Sequence, residues 1–279
     1  MKQTRIAYMP LATYPEAVAD GSILAAAGFA TALGCALHVT TFSVDIPRVS
    51  SPLGGLLIDI PGLVSAAEEK SRAECHRLQE LLQGAAESRA SVHCTNREVV
   101  LGAALNAAAV EARYFDLAVL SSSGEDVSAQ DMAQAVVFGS GRPTILVPPS
   151  AGPATLDHIA IAWDGSRVAA RALGDALQLL TEGGRVSVLT VHGEKPLSEA
   201  DLAGALASSL EKRGFSAAAL DITIGKRAVA EALQDTALAE GAQILAMGGF
   251  GHSRIRDFVL GGATIGIFND LRLPVLLSH

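Results

Sequence analysis

The sequence predicts an α/β protein made of two tandem, open, five-stranded parallel-sheet domains, each doubly wound by helices. Three observations carry this. Short apolar or β-branched runs alternate with longer helical stretches along the whole chain, the order of a parallel sheet with right-handed crossovers. The order repeats: Phe115-Asp116-Leu117-Ala118-Val119-Leu120 parallels Gly241-Ala242-Gln243-Ile244-Leu245-Ala246, and Arg142-Pro143-Thr144-Ile145-Leu146-Val147 parallels Arg272-Leu273-Pro274-Val275-Leu276-Leu277 with one extra residue before the proline. Between the copies lies Pro148-Pro149-Ser150-Ala151-Gly152-Pro153, a composition that suits a boundary. The expected domains are residues 1–149 and 155–279.

In the first copy, strands are expected at 6–9, 36–44, 92–95, 117–121 and 144–147, and helices at 17–33, 64–86 and 99–113. The stretch 23–39 is nearly uncharged, but it is alanine-rich and broken by Gly28 and Gly34. A membrane span needs about 20 strongly apolar residues, so this stretch reads as a buried helix followed by a buried strand. The proline-, serine- and glycine-rich segment 46–62 reads as a surface loop, and 121–130 as the loop after the fourth strand. In the second copy, strands are expected at 158–164, 185–191, 215–224, 243–247 and 274–277. Helices are expected at 166–182, 198–213, 228–240 and 263–271, several closed by a glycine such as Gly183, Gly214 or Gly241.

Composition bounds the function. With 279 residues, 49% hydrophobic and 18% charged, the chain is too apolar to be disordered and long enough for two α/β domains. The net charge of −8 argues against broad nucleic-acid binding. Three cysteines without metal-ligand spacing, and a start without a signal-peptide apolar core, point to the reducing cytoplasm and away from a membrane. The histidines show no i, i+4 pairing, so no metal site is expected.

The segment that carries most chemistry is Gly248-Gly249-Phe250-Gly251, followed by His252-Ser253-Arg254 and then Gly261-Gly262-Ala263-Thr264. It falls between a strand end and a helix start, where an open sheet presents a crevice and a helix presents unpaired N–H groups to an anion. In a chain with 27 glycines, single ones mean little. The spacing G-x2-G-x9-G over Gly248, Gly251 and Gly261 means more, and it matches neither the P-loop nor the dinucleotide fingerprint. His252 and Arg254 are candidates for pairing with phosphates. The first copy has Ser121-Ser122-Ser123-Gly124-Glu125-Asp126 at the corresponding place, whose carboxylates would repel a triphosphate, and Pro10-Leu11-Ala12-Thr13 where the second has Asp164-Gly165-Ser166.

The glycine spacing and the tandem order resemble the universal stress protein family, closely over 157–279 and in architecture alone over 1–147. The resemblance implies Rossmann-like domains that hold ATP, with magnesium as its companion ion. Asp164 would lie near the adenosine, and Val191 would meet adenine through its backbone. Met247, Gly248, Gly251 and Gly261 would hold ribose and phosphates. Gly262, Ala263 and Thr264 would open the last helix. The family has Ser or Thr where this chain has Gly262, which removes one phosphate donor. The family also pairs domains through the last strand, either in a homodimer or within a tandem chain, so 143–147 and 274–277 are the edges expected to meet.

Duller roles stand beside these. Asp164 could cap a helix, and Trp163 could simply pack beneath one. Catalytic residues are not expected: there is no G-x-S-x-G elbow, and around Gly248 to Thr264 only Asp257 could serve magnesium. Two function classes remain open: a stress-response or signalling module that binds ATP in the second domain with little or no turnover, and a nucleotide-free interaction protein acting through dimerisation or another small ligand. An efficient hydrolase or adenylate-transferring enzyme is a weaker third.

Overall fold

The computed structural model describes residues 4–48, 59–85, 91–122, 126–152, 155–193, 201–249 and 262–279. The first half contains β1 (Ile6–Ala12), α1 (Asp20–Ala32), β2 (Ala36–Asp45), α2 (Ile60–Ala85), β3 (Val92–Val100), α3 (Ala104–Ala112), β4 (Leu117–Ser121), α4 (Val127–Ser140) and β5 (Thr144–Val147). The second contains β6 (His158–Ala162), α5 (Arg167–Leu177), β7 (Arg185–His192), α6 (Leu202–Lys212), β8 (Ser216–Thr223), α7 (Val229–Ala239), β9 (Ile244–Gly248), α8 (Gly262–Asn269) and β10 (Val275–Ser278).

All ten strands form one sheet in the order β3-β2-β1-β4-β5-β10-β9-β6-β7-β8. Every neighbouring pair is parallel except β5 and β10, which run antiparallel with Leu146 opposite Val275 and Thr144 opposite Leu277. The two five-stranded sheets thus meet edge to edge through the strands expected to pair, and neither apolar edge is left open. Helices cover both faces. One core layer joins Phe29 of α1 and Leu78 of α2 to Leu173 of α5 and Leu210 of α6, and the other joins Val136 of α4 to Leu233 of α7 and Phe268 of α8. Both layers run through both halves. Side chains stitch the junction further: Gln130 Nε2 donates to the Phe268 carbonyl at 3.0 Å, and Arg171 to the Gly141 carbonyl at 2.6 Å.

Several expected boundaries shift. Val99 and Val100 belong to β3, not to the following helix, which begins at Ala104. β3 is an edge strand with much of its surface exposed, so Asn96-Arg97-Glu98 are tolerated within it. Residues 127–130, expected in a loop, form the first turn of α4, because the Asp126 carboxylate accepts the Ala129 N–H at 2.9 Å and starts the helix. Residues 60–62 are likewise helical, at the start of α2. The weakly charged stretch 23–39 divides into α1 and β2. Among the described residues no helix is long and apolar enough to cross a membrane.

Candidate functional site

In the second half β6, the first strand, lies between β7 and β9, so the chain leaves it in one direction and later returns on the other side. A crevice opens at such a reversal, above the carboxyl ends of the strands. Ile161 pairs with Ala246, and Ala162 with Leu189. Counting upward in that register brings Asp164, Val191 and Gly249 to one level, Gly248 one residue below and Met247 two below. The residues singled out on β6, β7 and β9 therefore converge at a single sheet edge.

In the turn above β6, Asp164 supports the start of α5 without being its cap. Ser166 is the N-cap of α5, its hydroxyl oxygen accepting the Ala169 N–H at 3.2 Å. Asp164 lies two residues earlier, exposed, with Oδ1 accepting the Ser166 N–H at 2.9 Å. Between them Gly165 has φ +75°, a backbone that favours glycine. Trp163 packs against the core layer of α5 and α6, while its carbonyl accepts the Thr190 hydroxyl at 3.0 Å. Val191 is half-buried against the opposite layer.

Gly248 has a reason of its own. A Cβ there would lie 2.6 Å from Val168 Cγ2 and 2.9 Å from the Ala169 nitrogen. The first turn of α5 sits directly on the end of β9, so bare backbone is required for packing whether or not an anion approaches. Gly249 then closes the sheet, donating its N–H to the Ser278 carbonyl at 2.7 Å. At the start of α8, Gly262 is exposed and a side chain there would meet nothing within 4 Å among the described residues. Ala263 is half-buried beside it. Thr264, expected to offer a hydroxyl from the first turn, is only 3% exposed and is enclosed by the protein. Gly251, His252 and Gly261 lie outside the described residues, as does Arg254.

One pair near the site was missed: His192 Nε2 and Asp221 Oδ1 stand 2.6 Å apart on β7 and β8, next to Val191. Only the strand register brings them together. Elsewhere the three cysteines are free thiols. Burial pushes Cys35 up to about 11 and also raises Cys75 and Cys94, which keeps them protonated and poorly nucleophilic. Among the described residues no group of three or more His, Cys, Asp or Glu is placed to hold a metal ion.

Residues 155–279 match the model of the Universal stress protein family. The second half of the chain is a universal stress protein domain. No curated protein matches the sequence. Among solved structures, a universal stress protein from Archaeoglobus fulgidus DSM 4304 superposes with a TM-score of 0.69 at 15% identity, covering 97% of each chain. A candidate universal stress protein from Pseudomonas aeruginosa UCBPP-PA14 gives 0.56 at 15% identity, covering 99% of this chain and 93% of its own. At these identities the likeness is one of fold, and it extends over both halves. A universal stress protein crystallised in complex with cAMP matches 52% of this chain at 20% identity with a TM-score of 0.30.

The same frame aligns the first half with the universal stress protein domain. Ala7 pairs with Leu117 as Ile159 pairs with Ile244, and the Ser122 N–H donates to the Val147 carbonyl as Gly249 does to Ser278. Ala12 then stands at the level of Asp164, Phe42 at that of Val191, and Leu120, Ser121 and Ser122 at those of Met247, Gly248 and Gly249. The carboxylate is gone, the strand runs on, and Asp126 occupies the start of α4, the counterpart of α8.

Proposed function

We propose that the second half binds an adenine nucleotide, ATP with its magnesium ion, and serves as a stress-response or signalling module with little or no turnover. On this reading the chain is two domains, 1–149 and 155–279, of which the second carries the nucleotide. The observation that carries the proposal is the convergence of Asp164, Val191 and Met247 on neighbouring parallel strands at the crevice above β6. An exposed carboxylate suits ribose hydroxyls, and the start of α8, where Gly262 carries no side chain, suits phosphate. Free, protonated thiols suit the cytoplasm.

The second reading, a nucleotide-free interaction protein, rests on a specific observation too. The family hydroxyl is replaced by Gly262, and Thr264 is enclosed instead of filling its place. A thermal-shift titration of nucleotide-stripped protein with magnesium-ATP separates the two readings. A ligand bound only to the folded state stabilises it by about 2.7 kcal/mol at a hundredfold excess over its dissociation constant. A saturable rise in Tm that weakens in Asp164→Ala supports nucleotide binding; no rise leaves the interaction reading.

A further inference from the structure

We propose that the first half holds a second ligand site, for a small organic cation with an apolar body, in the crevice at the carboxyl ends of β1, β2 and β4. This does not depend on nucleotide binding in the second half.

Three adjoining cavities open here, of about 20, 220 and 530 Å³, and Ser128 in the first turn of α4 borders all of them. The 220 Å³ cavity is the recognition pocket. Phe42, Val44, Val99, Leu105 and Tyr14 line it, so it takes up apolar surface, and its size, below the roughly 300–1,000 Å³ of pockets for drug-sized ligands, fits one ring or a short chain. The 530 Å³ cavity is its open mouth, between the approach to α1 and the start of α4.

Charge decides the class of ligand. Among the described residues that line the three cavities, the charged side chains are Glu16, Asp126 and Asp131, all carboxylates, with no lysine, arginine or histidine. Helix starts at this edge would ordinarily attract an anion, but the protein supplies its own. Asp126 accepts the Ala129 N–H at the start of α4, and Asp20 in the first turn of α1 is paired with Arg77 at 2.7 Å. Glu16 and Asp131 remain exposed at the rim and favour a positive head group. A buried hydroxyl completes the site. Ser122 borders the mouth, is 1% exposed, and its Oγ has no hydrogen-bond partner among the described residues, so it would accept an N–H from an ammonium that reaches it.

Fluorine NMR on the full chain tests this with two probes of the same apolar body and opposite charge, 4-fluorobenzylammonium and 4-fluorobenzoate, each titrated with and without excess magnesium-ATP. The ammonium probe should bind saturably, should not be displaced by ATP, and should bind roughly tenfold or more tightly than the carboxylate. Ala104→Phe, which fills the apolar pocket, should abolish its binding. Asp131→Asn, an exposed change on α4 with no packing consequence, should weaken the ammonium probe about threefold and leave the benzoate no weaker. Absence of ammonium binding, equal binding of both probes, or unchanged binding in the folded Ala104→Phe protein would overturn the proposal.

Discussion

The two halves share strand order and register, yet the same sheet edge is built from opposite chemistry in each. In the second half β6 stops at Ala162, the chain turns sharply through Asp164 and Gly165, and α5 sits on the bare end of β9 at Gly248. In the first half β1 runs to Ala12, α1 begins only at Asp20, and the added distance leaves room for Ser121 where Gly248 stands and for cavities lined by Phe42 and Val99. A carboxylate marks the strand end in one half and the helix start in the other. The frame is the same in both halves, and on the proposed reading the length of a single turn decides whether the edge admits an anion.

The largest expected effect tests the steric half of that contrast. Gly248→Ala should destabilise the protein by about 1–3 kcal/mol, because the added carbon meets the backbone of Val168 and Ala169, which no rotamer can relieve. Ser121→Gly at the matching level should cost only about 0.5–1 kcal/mol, the loss expected from glycine in a strand. Urea unfolding of both variants checks the difference, and equal losses would break the comparison.

Next in size is Gly262→Ser, which restores the family hydroxyl at a position that no other described residue crowds. It should tighten magnesium-ATP binding about tenfold, the worth of one hydrogen bond to a charged group, as read by calorimetry. Asp126→Ala in the first half should cost about 1 kcal/mol of stability by uncapping α4, without conferring nucleotide binding on that half.

The smallest effect concerns pH, and here the halves should agree. His38 lies below its ordinary range because of burial and then the nearby His93, and His158 because of burial and then Arg185. A histidine whose folded pKa is depressed is protonated first in the unfolded chain. Stability should therefore be full above about pH 6.5 and fall as the pH drops from there towards the lower folded values. His158→Asn should flatten part of that slope in urea midpoints measured across the range.

Much of this was legible in the sequence. Strand positions followed from apolar runs, and the meeting of β5 with β10 from the resemblance to a family that pairs through its last strand. The extension of β3 escaped because an edge strand exposes polar side chains and loses its alternation. α4 escaped because its cap, Asp126, sits among serines and acids that mimic a loop. At the candidate site, Asp164, Val191 and Met247 were named from the resemblance to the family, and the strand register brings their positions to one edge. The packing demand on Gly248 was not legible, since it comes from α5, some eighty residues away in sequence. Nor was the enclosure of Thr264, which depends on how α8 lies against its neighbours.

The claim that the two edges differ in kind is tested most directly by a calorimetric titration of the full, nucleotide-stripped chain with magnesium-ATP, read for stoichiometry. The account predicts one nucleotide per chain, lost or weakened in Asp164→Ala and unchanged in Asp126→Ala. Two nucleotides per chain, or none, would contradict it.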